Sequence, residues 1–371
     1  MIRTLLITFA ITVYVVCLGC GLSAEGTAAP PAKSKPGPAR DSSADASPRV
    51  AFDVDGLPYR GVVMQIQRTD WIDRYEQSID EIAALGADTV KLVVDARQEN
   101  GASSRIWLDV RMTPTPEALA RLIQHARKKN LRVILMPIVL LDNPRGGEWR
   151  GQIRPESWED WWDSYRAMIT HFAWIAQGNG VDIFVVGSEL ISTETETHLP
   201  QWRRTIGEIR KTFKGRLTYS SNWDHYTHVK FWDELDFIGM NSYWKLGEDR
   251  NVSVDEIVKR WGAIQAELFS FQRKVDKPLL FLEVGWCNMA NMAHEPWDYT
   301  KDESAAPTDN ELQRKLYEGF FRAWHGRAEL GGFCIWEWTP EGGQPGDRGY
   351  TPEGKPAERV LRQWLAKPWR S

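Results

Sequence analysis

Two carboxylates close apolar, strand-like runs in this chain. They are Glu189 in Val185-Val186-Gly187-Ser188-Glu189-Leu190 and Glu283 in Phe281-Leu282-Glu283-Val284-Gly285-Trp286. Stripping a carboxylate of water is costly, so a Glu ending a run of Val, Ile, Leu and Phe calls for a reason. Two such groups brought to one mouth would supply the acid and the nucleophile for cleaving a glycosidic bond. That chemistry requires elements able to deliver residues far apart in sequence to one place.

From Tyr59 onward the chain supplies them. Apolar runs at Gly61–Ile66, Thr89–Val94, Arg132–Val139, Asp182–Gly187, Leu217–Ser221, Phe237–Met240, Leu279–Val284 and Gly332–Trp336 alternate with longer amphipathic stretches. Alternating β and α predicts a parallel sheet, and eight units in a chain of this length predict an α/β fold closed into a (β/α)8 barrel. Helix starts are marked by Thr115-Pro116, by Ser157 before Trp158-Glu159-Asp160 and by Thr308 before Asp309-Asn310-Glu311. Trp158, Trp161, Trp162, Tyr165, Ile169 and Phe172 recur at helical spacing and read as a buried face.

The loops after strands are long (142–156, 286–307 and 339–356), whereas those before strands are short, such as Gly86-Ala87-Asp88. Barrel enzymes build their sites at the strands' C-terminal face, so the asymmetry marks one working end. Alternation along a strand places Ile183, Val185, Gly187 and Glu189 on one face, and Leu279, Phe281 and Glu283 on another. If the upstream members fill the barrel, both glutamates emerge inward at its mouth, facing each other from strands four and seven. Gly187 would leave room beneath Glu189. Each Glu has a plainer reading as the ion-pair partner of a rim arginine.

Residues 1–24 read as a signal peptide, with Arg3 before the apolar core Leu5 to Val16. Cys20 after Gly19 resembles a lipoprotein cleavage site, which would give a lipid tether in a bacterial envelope; plain secretion is the alternative. Residues 25–50, rich in Ala, Pro and Ser, read as a linker, and 51–371 as one catalytic domain, expected to be a monomer. A net charge of −4 without a basic stripe argues against nucleic acid. Only Cys287 and Cys334 follow the leader, as two buried thiols or a single pair. His225 and His228 form the one close histidine pair, which reads as exposed groups at a helix start and not as a metal site. No glycine-rich phosphate loop and no Gly-x-Ser-x-Gly elbow is present, and no cofactor is expected.

Glu on strand four and Glu on strand seven is the arrangement of the clan A retaining glycosidases, and the chain resembles glycoside hydrolase family 113, the β-mannanases. The segments that carry this are the two glutamate runs, Ser221-Asn222-Trp223, Ile238-Gly239-Met240-Asn241-Ser242-Tyr243-Trp244 and Ile335-Trp336-Glu337-Trp338. Trp149-Arg150-Gly151, Pro296-Trp297-Asp298-Tyr299 and the closing segment from Tyr350 to Ala357 add to it. The resemblance implies Glu189 as acid/base and Glu283 as nucleophile. Tyr243, at the end of strand six and next in the ring, is the candidate hydrogen-bond donor to Glu283, with a core tyrosine bonding a carbonyl as its plainer reading. Much of the clan has Asn before the strand-four Glu, where it binds the sugar's 2-hydroxyl. Here the position is Ser188, which leaves Asn222 and Asn241 as candidates for that contact.

Trp286, Trp223 and whichever of Trp336 and Trp338 faces inward are candidate stacking platforms, and Trp149 and Arg150 could contact hydroxyls farther along a polysaccharide. The implied reaction is hydrolysis of β-mannan or a related β-linked polysaccharide or oligosaccharide. The alternatives are a β-glucanase, an exo-acting β-mannosidase, a non-catalytic carbohydrate-binding barrel, and a metal-dependent hydrolase.

Overall fold

The computed structural model describes residues 56–344 and 346–369. The leader, Cys20 and the linker lie outside the described residues. Within them, eight strands run parallel: β1 (Tyr59–Ile66), β2 (Thr89–Gln98), β4 (Arg132–Leu141), β5 (Ile183–Ser188), β6 (Arg216–Ser220), β7 (Ile238–Asn241), β8 (Leu279–Val284) and β9 (Leu330–Ile335). Pairing runs β6-β5-β4-β2-β1-β9-β8-β7. Bridging of Ser221 with Met240 joins the two ends, so the expected (β/α)8 barrel closes. The sequence reading passed over β3 (Ile106–Trp107), a two-residue strand antiparallel to the extension of β2.

Among the described residues seven α-helices cover the barrel: α1 (Ile72–Leu85), α2 (Pro116–Lys128), α3 (Trp158–Asn179), α4 (Leu199–Thr212), α5 (Val254–Val275), α6 (Asn310–Trp324) and α7 (Pro356–Leu365). The unit after β6 lacks an α-helix; turns and the short 3-10 segment Trp232–Glu234 take its place. His225 and His228 therefore sit in a turn and not at a helix start.

Caps explain where the helices begin. Thr115 accepts from Ala118 N at 3.2 Å with Pro116 in the first turn of α2, and Ser157 accepts from Asp160 N at 3.2 Å. The expectation at Thr308 fails, because Glu303 takes both the Thr308 amide and its hydroxyl. Asp309 caps α6 instead, accepting from Leu312 N at 2.9 Å. The reciprocal capping box of α5, Ser253 with Glu256, was legible in the sequence but passed over.

The core has two parts. Val63, Val93, Ile134, Met136, Ile183, Val185, Leu280, Leu282 and Cys334 belong to the cluster inside the barrel. A larger cluster between strands and helices holds Val62, Met64, Leu92, Trp161, Trp162, Tyr165, Trp202 and Trp261. At the strands' N-terminal end Asp88 pairs with Arg60 and Arg132, while Arg132 lies 4.0 Å from the Tyr59 ring. That charge network closes the floor, and the chemistry is left to the opposite end.

Candidate active site

Both glutamates reach the mouth, though not by the simple alternation the sequence suggests. Leu279 and Phe281 face the helices, with Phe281 against Trp261 and Trp324, and it is Leu280 and Leu282 that fill the barrel. Strict alternation would then turn Glu283 outward. An irregularity in the pairing of β8 with β9, between Phe281 and Val284, restores it to the inside. The same device operates in β5. Its pairing with β6 shifts between Val185 and Ser188, and a Cβ on Gly187 would strike Trp202 and the Tyr165 hydroxyl. Gly187 thus faces the helix layer; it does not leave room beneath Glu189. An extra residue in one strand re-aims the side chains beyond it, a use of bulges common beside active sites.

Glu189 is fixed first through its backbone. It follows β5 with φ +52°, a conformation disfavoured for a non-glycine residue. Its N–H donates to Ser220 O at 2.8 Å, and the next amide, Leu190 N, donates to the Tyr219 hydroxyl at 2.8 Å. That hydroxyl in turn donates to Glu194, a buried carboxyl pushed up to about 7 by burial against the opposing Tyr219 bond. The Glu189 side chain is then held twice. Asn241 Nδ2 donates to Oε1 at 2.7 Å, and the Arg150 guanidinium donates to Oε2.

Glu283 is held by different groups. The Tyr243 hydroxyl donates to Oε2 at 2.8 Å, and Lys91 Nζ stands 3.8 Å from Oε1. The Tyr243 phenol is raised well above its ordinary range, first by burial and then by the Glu283 charge, so it remains a donor. Burial likewise pushes Glu283 up and Lys91 down, each shift opposed by the other's charge. Donor and cation both favour the carboxylate over the acid. The two glutamates are not diametrically opposed. β6 and β7 lie between their strands, and Asn241, paired in register with Glu283, is the residue that holds Glu189.

Several candidate binding residues take other roles. Asn241 is completely buried, its amide donating to Glu189 and accepting from the Ser220 hydroxyl, so it holds Glu189. Arg150 reaches Glu189 itself, where a contact farther along a polysaccharide was expected. Trp149 lies beside it, its ring 5.9 Å from the guanidinium and close against Gly151. Trp286 is fully buried edge-on to Tyr317 and is core, since Gly285 lets the strand press against the Trp336 carbonyl and sends the indole outward. Trp338 also turns outward, its indole N–H donating to Glu81 at 2.8 Å. Trp336 is the inward one of the pair, half-buried over Lys91 and packed against the inner cluster. Trp223 stacks on the exposed ring of Trp297 at 5.8 Å, while Asn222 is half-buried and the Ser188 hydroxyl is buried without a partner among the described residues.

Lys91 escaped the sequence reading. Its signal was of the same kind as the glutamates': a charge inside Val90-Lys91-Leu92-Val93-Val94. Gln65 and Glu337, hydrogen-bonded at 2.8 Å beside Trp336, were missed as well. Cys287 and Cys334 are both free and buried. Among the described residues no group of three or more His, Cys, Asp or Glu is arranged to hold a metal ion. Nor is any described helix long and apolar enough to cross a membrane.

The sequence profile of Glycoside Hydrolase Family 113 matches residues 63–355, most of the chain and all the residues that hold the two glutamates. The chain belongs to glycoside hydrolase family 113. It is therefore a glycoside hydrolase, with a carbohydrate as its substrate. Among solved structures, the family 113 β-mannanase AaManA from Alicyclobacillus acidocaldarius in complex with ManMIm is 29% identical. The match covers 85% of this chain and 99% of that one, with a TM-score of 0.74. A family 113 β-1,4-mannanase complex at 24% identity has a TM-score of 0.75 and covers 84% and 99%. A β-glucuronidase from Ruminococcus gnavus, 15% identical with a TM-score of 0.55, shares the fold across 83% of this chain and 50% of its own. No curated protein matches.

Proposed function

We propose that this family 113 enzyme is an endo-acting β-mannanase working by double displacement, with Glu283 as nucleophile and Glu189 as acid/base. The observation that carries the assignment is the unequal surroundings of the two carboxylates. Glu283 has a phenol donor on one oxygen and a buried ammonium beside the other, the environment a group needs to stay ionised and attack an anomeric carbon. Glu189 is held by an amide and by an arginine carried on the loop after β4. It would protonate the departing oxygen and later deprotonate the incoming water. Trp336 would floor the subsite at the scissile bond.

Family membership together with the mannanase neighbours supports the substrate class. The leader would export the enzyme; cleavage before Cys20 would leave that cysteine to carry a lipid tether to the envelope, whereas cleavage after Ala24 would release the enzyme. The test is product analysis on manno-oligosaccharides beside cello-oligosaccharides, with anomeric configuration followed by NMR. Release of short manno-oligosaccharides with β configuration supports the reading. Preference for the gluco series would make the enzyme a β-glucanase, release of mannose alone an exo-mannosidase, and α products would overturn double displacement.

A further inference from the structure

The proposed chemistry uses Glu189 and Glu283 and leaves a third acidic group of the mouth unassigned. Glu337 directly follows Trp336 and, like it, is half-buried. Its Oε2 accepts from Gln65 Nε2 at 2.8 Å, and Gln65 Oε1 accepts from Gln67 Nε2 at 3.2 Å. Gln65 lies on β1 two residues beyond Val63, a member of the inner cluster, so the row climbs the inner wall. Oε1 of Glu337 has no protein partner among the described residues, though an ionised carboxylate offers about four acceptor sites. A half-buried acceptor with unused lone pairs, at the edge of an aromatic platform, suits a ligand that presents hydroxyls around an apolar ring.

We propose that Glu337, steadied by Gln65, reads a hydroxyl of the sugar lying on Trp336. The proposal rests on the retaining-glycosidase reading above. The sugar stacks its carbon face on the indole, and a hydroxyl at the ring edge donates to Glu337 Oε1 in a charge-assisted hydrogen bond. Burial pushes Glu337 up to about 7, with Gln65 and Lys91 opposing and the Glu283 charge adding; a hydroxyl donor would favour its ionised form against that shift.

The experiment compares wild type with Glu337→Gln and Gln65→Ala on a nitrophenyl β-mannotrioside. A set of analogues each lacks one hydroxyl in the ring attached to nitrophenol. Glu337→Gln is expected to lower kcat/KM on the parent substrate roughly 10- to 100-fold, the loss of one hydrogen bond to a charged group. One analogue should lose as much in wild type and nothing further in the variant. Gln65→Ala should show the same pattern at smaller amplitude. An equal loss on every analogue would mean that Glu337 acts only through Glu283 or through folding, and would overturn the proposal; so would no loss at all. Retained activity on the one matched analogue reports that the site has folded. Should wild type cleave only the gluco series, the mannanase reading fails, and the same comparison on gluco analogues still tests Glu337.

Discussion

The ends of β5 and β8 solve one problem with different materials. Each must turn a glutamate into the mouth after a run of apolar residues, and each does so at an irregularity of strand pairing. What holds the carboxylates differs. Around Glu283 the partners are Lys91, fully buried inside β2, and Tyr243 just past β7. Around Glu189 one partner is the buried Asn241 and the other is Arg150, from the long loop after β4. The proposed nucleophile, which would have to stay charged, has its partners on and just past strands. The proposed acid/base, which would gain and lose a proton, keeps one partner on a loop.

That contrast breaks most visibly on removal of the carboxylates. Glu283→Ala should lower kcat on any glycoside by on the order of 10⁴-fold or more, whatever the leaving group, measured by released reducing ends. Glu189→Ala should cost about 10²- to 10⁴-fold on polysaccharide. On a dinitrophenyl glycoside, whose leaving group needs no proton, the first step should hardly change and a burst of phenol should appear. A burst from the Glu283 variant, and none from the Glu189 variant, would reverse the assigned roles.

Changing the holders sharpens the comparison. As the proposed nucleophile Glu283 would act ionised, so activity should fall as pH drops through its pKa. Lys91→Met removes a cation that lowers that pKa, and Tyr243→Phe removes a hydrogen bond that does the same. Both variants should therefore move the acid limb of kcat/KM to higher pH, Lys91→Met the further of the two. Coulombic contact with Lys91 outranks the Tyr243 bond among the influences on Glu283. A limb that stays in place in both variants would detach Glu283 from the acid limb.

The smallest effects separate platform from core. Trp336→Ala should raise KM for oligosaccharides roughly tenfold with the melting temperature little changed. Trp286→Phe should leave KM alone and cost ~1–2 kcal/mol of stability by urea unfolding, since its indole lies wholly inside the outer cluster. A KM effect at Trp286 would put that residue back among the binding groups.

Much of this was legible beforehand, and the failures share a cause. The eight barrel strands and the working face could be read because apolar period and loop length are local properties of the chain. Thr308 against Asp309 was not decided locally, because Glu303, five residues upstream, claims the nearer candidate. Trp286 against Trp336 was not decided either. The two residues belong to different strands, and only the close approach at Gly285 shows which indole turns out.

Sequence alone determined that two glutamates, and a lysine overlooked among valines, end up where carboxylates and ammonium groups are expensive to place. That is a matter of residue type and neighbours, which the chain states outright. Which way each one points was decided only by the closed sheet. Side chains alternate with a period of two, so one extra residue in a strand reverses everything downstream, and whether it is there depends on the partner strand. The two shifts, in β5 and β8, are what bring Glu189 and Glu283 to a common mouth.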